Sequence, residues 1–235
     1  MTLGINQPYF LPYLGYFSLI NLVDEFILFD TVQFIRHGWI ERNRILKPGF
    51  GWQYISVPLI KAKRETIIKD MLINNEIAWQ NKLIAQLVHY KKKAPYYNIV
   101  IDLLSSVIYE KFESIVDIDN KLLNEICNYL EIDTPISIFS ENNSNINSVE
   151  ASDEWALKIC LAYEADQYIN LPGGRDFFNK EKYENLGIKL NFIQMKDIVY
   201  SQKRDYFEPW LSIIDVMMFN DVPTIKNYLN QYDLI

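Results

Sequence analysis

Two stretches decide how this chain folds: Leu3-Gly4-Ile5-Asn6-Gln7-Pro8-Tyr9-Phe10-Leu11-Pro12-Tyr13-Leu14-Gly15-Tyr16-Phe17 and Phe26-Ile27-Leu28-Phe29-Asp30-Thr31-Val32-Gln33-Phe34. Leu3 to Asn6 reads as a short buried strand. Pro8 and Pro12 then hold the backbone in extended or turn conformations. From Tyr13 to Val23 apolar residues recur at helical spacing (Tyr13, Phe17, Ile20), and Asp24 ends the run. Glu25 to Val32 is almost continuously apolar, the pattern of a strand buried on both faces. Strand, helix and strand joined by short links imply a parallel, right-handed crossover. In such sheets ligands collect beyond the carboxyl ends of the strands. Those ends carry Asn6, Gln7, Asp30 and Gln33.

Outward from this unit, residues 35–50 hold Gly38, Pro48 and Gly49 and read as a loop. Alternation predicts a third strand over Trp52–Ile60 and a fourth over Thr66–Ile73. Helical periods follow over Ile77–Lys93, Tyr96–Tyr109 and Ile115–Leu130, with Pro95 between the first two. They form a helical insertion at about 77–130. Ile136–Phe139 is a short strand, and the Ser/Asn-rich residues 140–148 form a surface loop. Beyond it the pattern predicts a helix from Ser152 to Glu164, a strand over Tyr168–Leu171 and a turn at Pro172-Gly173-Gly174. It continues with a helix over Asp176–Leu186, a strand over Ile188–Gln194 and helices over Leu211–Asn220 and Thr224–Tyr232. The whole describes one α/β domain, residues 1–235, with a mostly parallel, Rossmann-like sheet.

Composition narrows the function. Half of the residues are hydrophobic and 29 are Tyr or Phe, enough for a sizeable core and for aromatic walls around a sugar or base. A formal net charge of -7 argues against broad coating by nucleic acid, so no DNA partner is expected, although it leaves room for a local basic pocket. The longest apolar stretches are too short to span a membrane, and the N-terminus has no basic leader region. Cys127 and Cys160 read as reduced core residues of a cytoplasmic protein. Two histidines and two distant cysteines make no zinc pattern, and no cofactor is called for.

Two constellations suit an anion. Tyr168 to Asp176 runs from a strand through Gly173 and Gly174 to an expected helix start, where free amides and Arg175 would meet a diphosphate; an ordinary strand-to-helix turn has the same pattern. Arg36, His37, Arg42, Arg44 and Lys47 place five cations within twelve residues, with Trp39 among them to stack on a base or sugar. Such a cluster serves either a solvated loop paired with acids such as Glu41 or a phosphate-bearing ligand at the sheet edge. For general-base chemistry His37 is better placed than His89, which packs in a helix; Asp30, at a buried strand end, is the runner-up.

Several of these pieces together resemble the WbqC-like family. They are Gln7 to Phe17, Asp30-Thr31-Val32-Gln33-Phe34, Trp39 with Arg42-Asn43-Arg44-Ile45, Lys93-Ala94-Pro95-Tyr96-Tyr97, Gly173-Gly174-Arg175-Asp176-Phe177-Phe178 and Leu211-Ser212-Ile213-Ile214-Asp215. The resemblance implies bacterial surface-polysaccharide (O-antigen) biosynthesis, with N-acyl or aminoacyl (glycyl) transfer to the amine of a nucleotide-linked amino sugar. An activated acyl or aminoacyl donor, aminoacyl-tRNA included, would be the second substrate. On that reading the diphosphate falls to Gly173, Gly174 and Arg175 or to Arg42 and Arg44, and the base to an aromatic such as Trp39, with Tyr9 and Asp176 as further substrate-binding candidates. The sugar falls to Gln7, Asp30 and Gln33, proton removal to His37 or Asp30, and the oxyanion to Asn43. Two alternatives stand beside it: a nucleotidylyltransferase-like protein, because Pro8 to Gly15 occupies a comparable strand-to-helix turn, and a non-catalytic nucleotide-sugar binding module.

Overall fold

The computed structural model describes residues 1–142, 146, 149 and 151–235. Its centre is a six-stranded sheet. In chain order the sheet strands are β1 (Thr2–Asn6), β2 (Glu25–Leu28), β5 (Ile136–Ile138), β6 (Gln167–Asn170), β7 (Lys189–Met195) and β8 (Tyr232–Leu234). The spatial order is β5-β2-β1-β6-β7-β8. The first five are parallel neighbours, and β8 pairs antiparallel with β7. Counted among the parallel strands alone, this is the order three-two-one-four-five of a doubly wound Rossmann-like sheet. The direction of winding reverses between β1 and β6, and a crevice opens there beyond the strand ends.

Alternation sorts the two faces. Leu3 and Ile5 of β1 and Ile27 of β2 pack with Ala156, Leu157, Ile159 and Cys160 of helix α5 (Glu154–Ala162). On the other face Phe26 and Leu28 join the larger core with helix α1 (Leu14–Leu22). Gly4 points to that second face, where a Cβ would stand 2.8 Å from the Phe26 ring, so only glycine lets β1 and β2 pack as they do. Helices α2 (Trp79–Leu87), α3 (Tyr97–Ile108) and α4 (Ile115–Tyr129) lie between the hairpin below and β5 in the chain. The short α6 (Lys180–Glu184) precedes β7, and α7 (Ile213–Phe219) and α8 (Val222–Leu229) close the chain before β8.

The structure departs from the sequence reading at several places, among them the helix expected over Asp176–Leu186, which is only Lys180–Glu184. Residues 42–46, expected as loop, are a strand, β3 (Arg42–Leu46), paired antiparallel with β4 (Trp52–Ser56) in a separate two-stranded sheet. Asn43 and Ile45 face inward while Arg42 and Arg44 face out, so alternation was hidden inside a charge cluster. The fourth strand expected over Thr66–Ile73 is a single 3-10 turn at Ile68–Asp70, flanked by isolated bridges from Gln33 to Ile67 and from Leu72 to Ser114. The helix expected to run to Tyr232 stops at Leu229, and Tyr232–Leu234 become an edge strand. Of the expected loop at 140–148, Ser140 and Glu141 close a 3-10 turn that starts at Phe139; most of the remainder lies outside the described residues.

Candidate functional site

The segment after β1 is pinned at nearly every residue. Tyr16 donates its hydroxyl to the Gln7 carbonyl at 2.8 Å. Phe10 donates its amide to the Trp39 carbonyl at 2.9 Å, and its own carbonyl accepts Asn43 Nδ2 at 3.1 Å. Ser212 Oγ donates to the Leu11 carbonyl at 2.7 Å, while the Ser212 amide binds the Arg44 carbonyl and the Ile213 amide binds the Pro12 carbonyl. Leu211 to Asp215 therefore ties the loop after β1 to β3. Backbone groups of these buried loops are satisfied by one another and by the Tyr16, Asn43 and Ser212 side chains, while Gln7, Tyr9 and Tyr13 face a crevice.

That crevice is a cleft of about 1050 Å³ at the β1/β6 reversal. Its aromatic walls include Tyr9, Tyr13, Trp39, Trp155, Phe177 and Trp210, with Phe29, Tyr168 and Phe178 also on the lining. Its amides are Asn6, Gln7, Gln33, Asn43 and Asn170. Asn6 and Asn170 meet across the reversal at 3.4 Å, and each also accepts the next residue's amide, at 2.8 and 2.7 Å. These bonds fix both side chains at the cleft floor. Arg44 is the single charged side chain on the wall among the described residues. Its Nη2 donates to the Trp210 carbonyl at 3.0 Å, its guanidinium lies 5.5 and 5.2 Å from the rings of Trp39 and Trp52, and its Nε is buried without a partner. Burial raises the Tyr9 phenol, and burial with the Tyr9 neighbour lifts Tyr13 to about 12, so both stay protonated donors at neutral pH. A smaller apolar cavity of about 260 Å³ lies beside the cleft and shares with it the edge-on pair of Tyr13 and Trp210.

The expected site residues separate. Gln7, Tyr9, Gln33, Trp39, Asn43, Arg44, Gly173 and Gly174 line the cleft together. Gln33 spends its amide nitrogen on the Arg64 carbonyl at 2.6 Å. Asn43 is bound on both sides, to Phe10 and to the Arg44 amide, and acts as a brace of the loop after β1. Asp30 does not line the cleft. It is 1% exposed, and Ser140 holds both carboxylate oxygens, through its amide at 3.0 Å and its hydroxyl at 2.5 Å. His37 sits on an exposed turn at φ +63°, its amide on Glu41 and its carbonyl bound by Arg42 Nη2. Arg42 is further committed to Tyr54, with its guanidinium 4.1 Å over that ring. Arg175 and Asp176 are exposed and off the wall. The Gly174 and Arg175 amides already bind the Leu171 and Pro172 carbonyls in a single 3-10 turn, and no α-helix begins until Lys180, so the glycine turn does not present an α-helix N-terminus.

Asn6 and Asn170 were the site's main signal missed as a pair. Each is a polar residue closing an apolar strand, the pattern that marks a strand's carboxyl end. Trp155 and Trp210 carried no such signal. At the turn compared with nucleotidylyltransferases, Leu14 and Tyr16 are buried in the core, so neither of these two positions offers a side chain to a transferring phosphate.

Fold and cleft define a doubly wound α/β protein with an aromatic and amide-rich cleft at its switch point. The chain belongs to the WbqC-like protein family, whose model matches residues 7–227. It is 30% identical over 234 residues to the uncharacterized protein Rv1507c of Mycobacterium tuberculosis, a match covering 96% of each chain. No solved structure matches it. Among the described residues no helix is long and apolar enough to cross a membrane.

Proposed function

We propose that the cleft binds a nucleotide-linked amino sugar and that the protein transfers an acyl or aminoacyl group, glycyl as the family resemblance implies, to the sugar's amine in surface-polysaccharide biosynthesis. The observation that carries this reading is the cleft's composition: stacking aromatics for sugar and base, amides fixed at the floor for hydroxyl groups, and one guanidinium, all at the switch point of the sheet. In the transfer the amine lone pair forms a C–N bond to the donor carbonyl, the ester C–O bond breaks, and the amine proton leaves with the departing oxygen. No histidine or carboxylate stands on the described wall, so the contribution assigned to the protein is orientation and exclusion of water. The setting proposed is the cytoplasm, and both cysteines are free and buried.

The same lack of a base on the wall favours a second reading, a binding module without turnover. Calorimetry with UDP- and dTDP-linked amino sugars, followed by mass spectrometry after adding activated glycine donors, separates the two. Saturable binding and a new amide on the sugar are expected. Saturable binding with no product from any donor supports the module, and no binding to any nucleotide-linked amino sugar overturns both.

A further inference from the structure

The charge of this chain is unevenly placed. Between Arg36 and Arg64 there are seven Lys and Arg against one acid, Glu41, in a chain whose formal net charge is -7. Much of that excess is already engaged by the fold: Arg42 over Tyr54, Arg44 between Trp39 and Trp52. Of the other five, Arg36, Lys63 and Arg64 line a cavity of about 470 Å³ together with Phe34 and Met71. Among the described residues no carboxylate lines it, and none pairs with any of the three.

The concavity is built rather than incidental. Arg36 Nη2 donates to the Ala62 carbonyl at 2.8 Å, Gln33 Nε2 to the Arg64 carbonyl at 2.6 Å, and the Phe34 amide to the Thr66 carbonyl at 2.9 Å. These three bonds lace residues 33–36 to residues 62–66 and hold like charges side by side, an arrangement that repels itself when empty of anions. A concave wall of one sign also concentrates field on whatever enters it. The cavity adjoins the main cleft, because Gln33 and Ile35 line both.

We infer that the Arg36–Lys63–Arg64 cavity is the anion site of this protein and takes a phosphate or diphosphate group of a ligand whose remainder lies in the main cleft. Arginine matches phosphate oxygens bidentately and lysine adds a compact charge, so two arginines and a lysine suit a diphosphate better than the single Arg44. The glycine turn at Gly173–Arg175, which looked like the phosphate site in the sequence, has spent the Gly174 and Arg175 amides on its own carbonyls. The anion has two sources: the diphosphate of the nucleotide-linked sugar, or a phosphate of the activated donor. The first source rests on the proposed function; the anion site itself does not.

The test uses inorganic pyrophosphate as the probe, titrated into the full chain by calorimetry at low ionic strength. Wild type is expected to bind one equivalent saturably, with affinity that falls as salt rises. The Lys63→Glu/Arg64→Glu variant changes two exposed side chains and keeps the Arg64 carbonyl that Gln33 needs. It is expected to lose affinity by about tenfold or more per removed cation. A matched reversal in the turn after α2, Lys91→Glu/Lys92→Glu, and the separate variant Arg175→Ala are expected to leave affinity unchanged, with far-UV circular dichroism confirming the fold of each. No binding by wild type, an undiminished affinity in Lys63→Glu/Arg64→Glu, or an equal loss in either control overturns the inference. Displacement of pyrophosphate by a nucleotide-linked amino sugar assigns the anion to the sugar's diphosphate; independent binding of the two assigns it to the donor. Pyrophosphate binding without amide formation leaves this site standing and removes the transferase reading. Amide formation with pyrophosphate affinity intact in the double variant does the reverse.

Discussion

Replacing Asp215 by alanine is expected to cost the fold about 4 kcal/mol. Asp215 is fully buried in the first turn of α7, whose N-cap is Ser212. Its carboxylate accepts the Tyr90 hydroxyl at 2.7 Å, the Tyr200 hydroxyl at 2.7 Å and Gln202 Nε2 at 2.8 Å. Tyr90 in turn accepts the Leu46 amide of β3 at 2.9 Å. Gln202 is locked to Glu208 through both its amide oxygen and nitrogen. One carboxylate thus joins the hairpin, the turn after α2 and the strap of residues 196–212 that carries Trp210 to the cleft. A hydrogen bond to a charged group contributes about 1.5–3 kcal/mol, and three such bonds do not add in full because they share one acceptor. Removing the carboxylate leaves the buried Tyr90 and Tyr200 hydroxyls without an acceptor and takes one of the two acceptors of Gln202 Nε2, which places the loss near the upper end of single substitutions, about 4 kcal/mol of a total that is commonly about 5–15 kcal/mol. Asp215→Asn keeps the shape and one acceptor and is expected to cost about half as much. Urea unfolding followed by circular dichroism and tryptophan fluorescence measures both. Tyr200→Phe should cost about 1 kcal/mol more in wild type than in the Asp215→Ala background, because only wild type still has the bond to lose. A loss below about 1 kcal/mol for Asp215→Ala, or a cycle with no coupling, would refute the hub.

Two further outcomes follow from local geometry. In Gly15→Ala the new Cβ would stand 2.5 Å from the Tyr13 ring and 2.9 Å from Met195 Cγ, so Tyr13 must swing out of the cleft wall; about 1–3 kcal/mol of stability and weaker nucleotide-sugar binding are expected by unfolding and calorimetry, and an unaltered affinity would show that Tyr13 does not touch the ligand. Desolvation, with smaller effects of Arg204 and Lys93, lowers the His89 imidazole below its ordinary 6.5, and the Gln86 carbonyl only partly opposes this. The folded state therefore binds a proton less readily than the unfolded chain, and stability should fall as pH drops through 6.5 toward the depressed value. His89→Gln should flatten that part of the curve in unfolding experiments; an unchanged slope would place the titration elsewhere.

The β1–α1–β2 crossover was legible because its residues report their own surroundings. A run such as Phe26-Ile27-Leu28 is buried wherever the sheet puts it, and Pro8 and Pro12 constrain the backbone without help from afar. The strands at Ile136, Tyr168 and Ile188 were readable on the same ground. The hairpin was not. Its outward positions carry Arg42 and Arg44, and a strand written in guanidinium groups has the composition of a solvated loop. The edge strand Tyr232–Leu234 was hidden as well, since three residues are too few to show a period and only pairing with β7 makes them a strand.

The same distinction runs through the site. By itself the sequence determined the parallel crossover, most of the sheet strands, the polar strand ends Asn6 and Gln7 and the cation-rich stretch, because each follows from the periodicity and chemistry of neighbouring residues. Only the tertiary structure decided which polar groups face a ligand. Asp30 looks like a base at a strand end until Ser140, 110 positions away, takes both of its oxygens. Arg36 looks like one member of a loop cluster until residues 62–66 are laced against it and bring Lys63 and Arg64 to its side. The direction of a polar side chain in a loop is set by whichever distant partner satisfies it, and that partner is known only once the chain has folded.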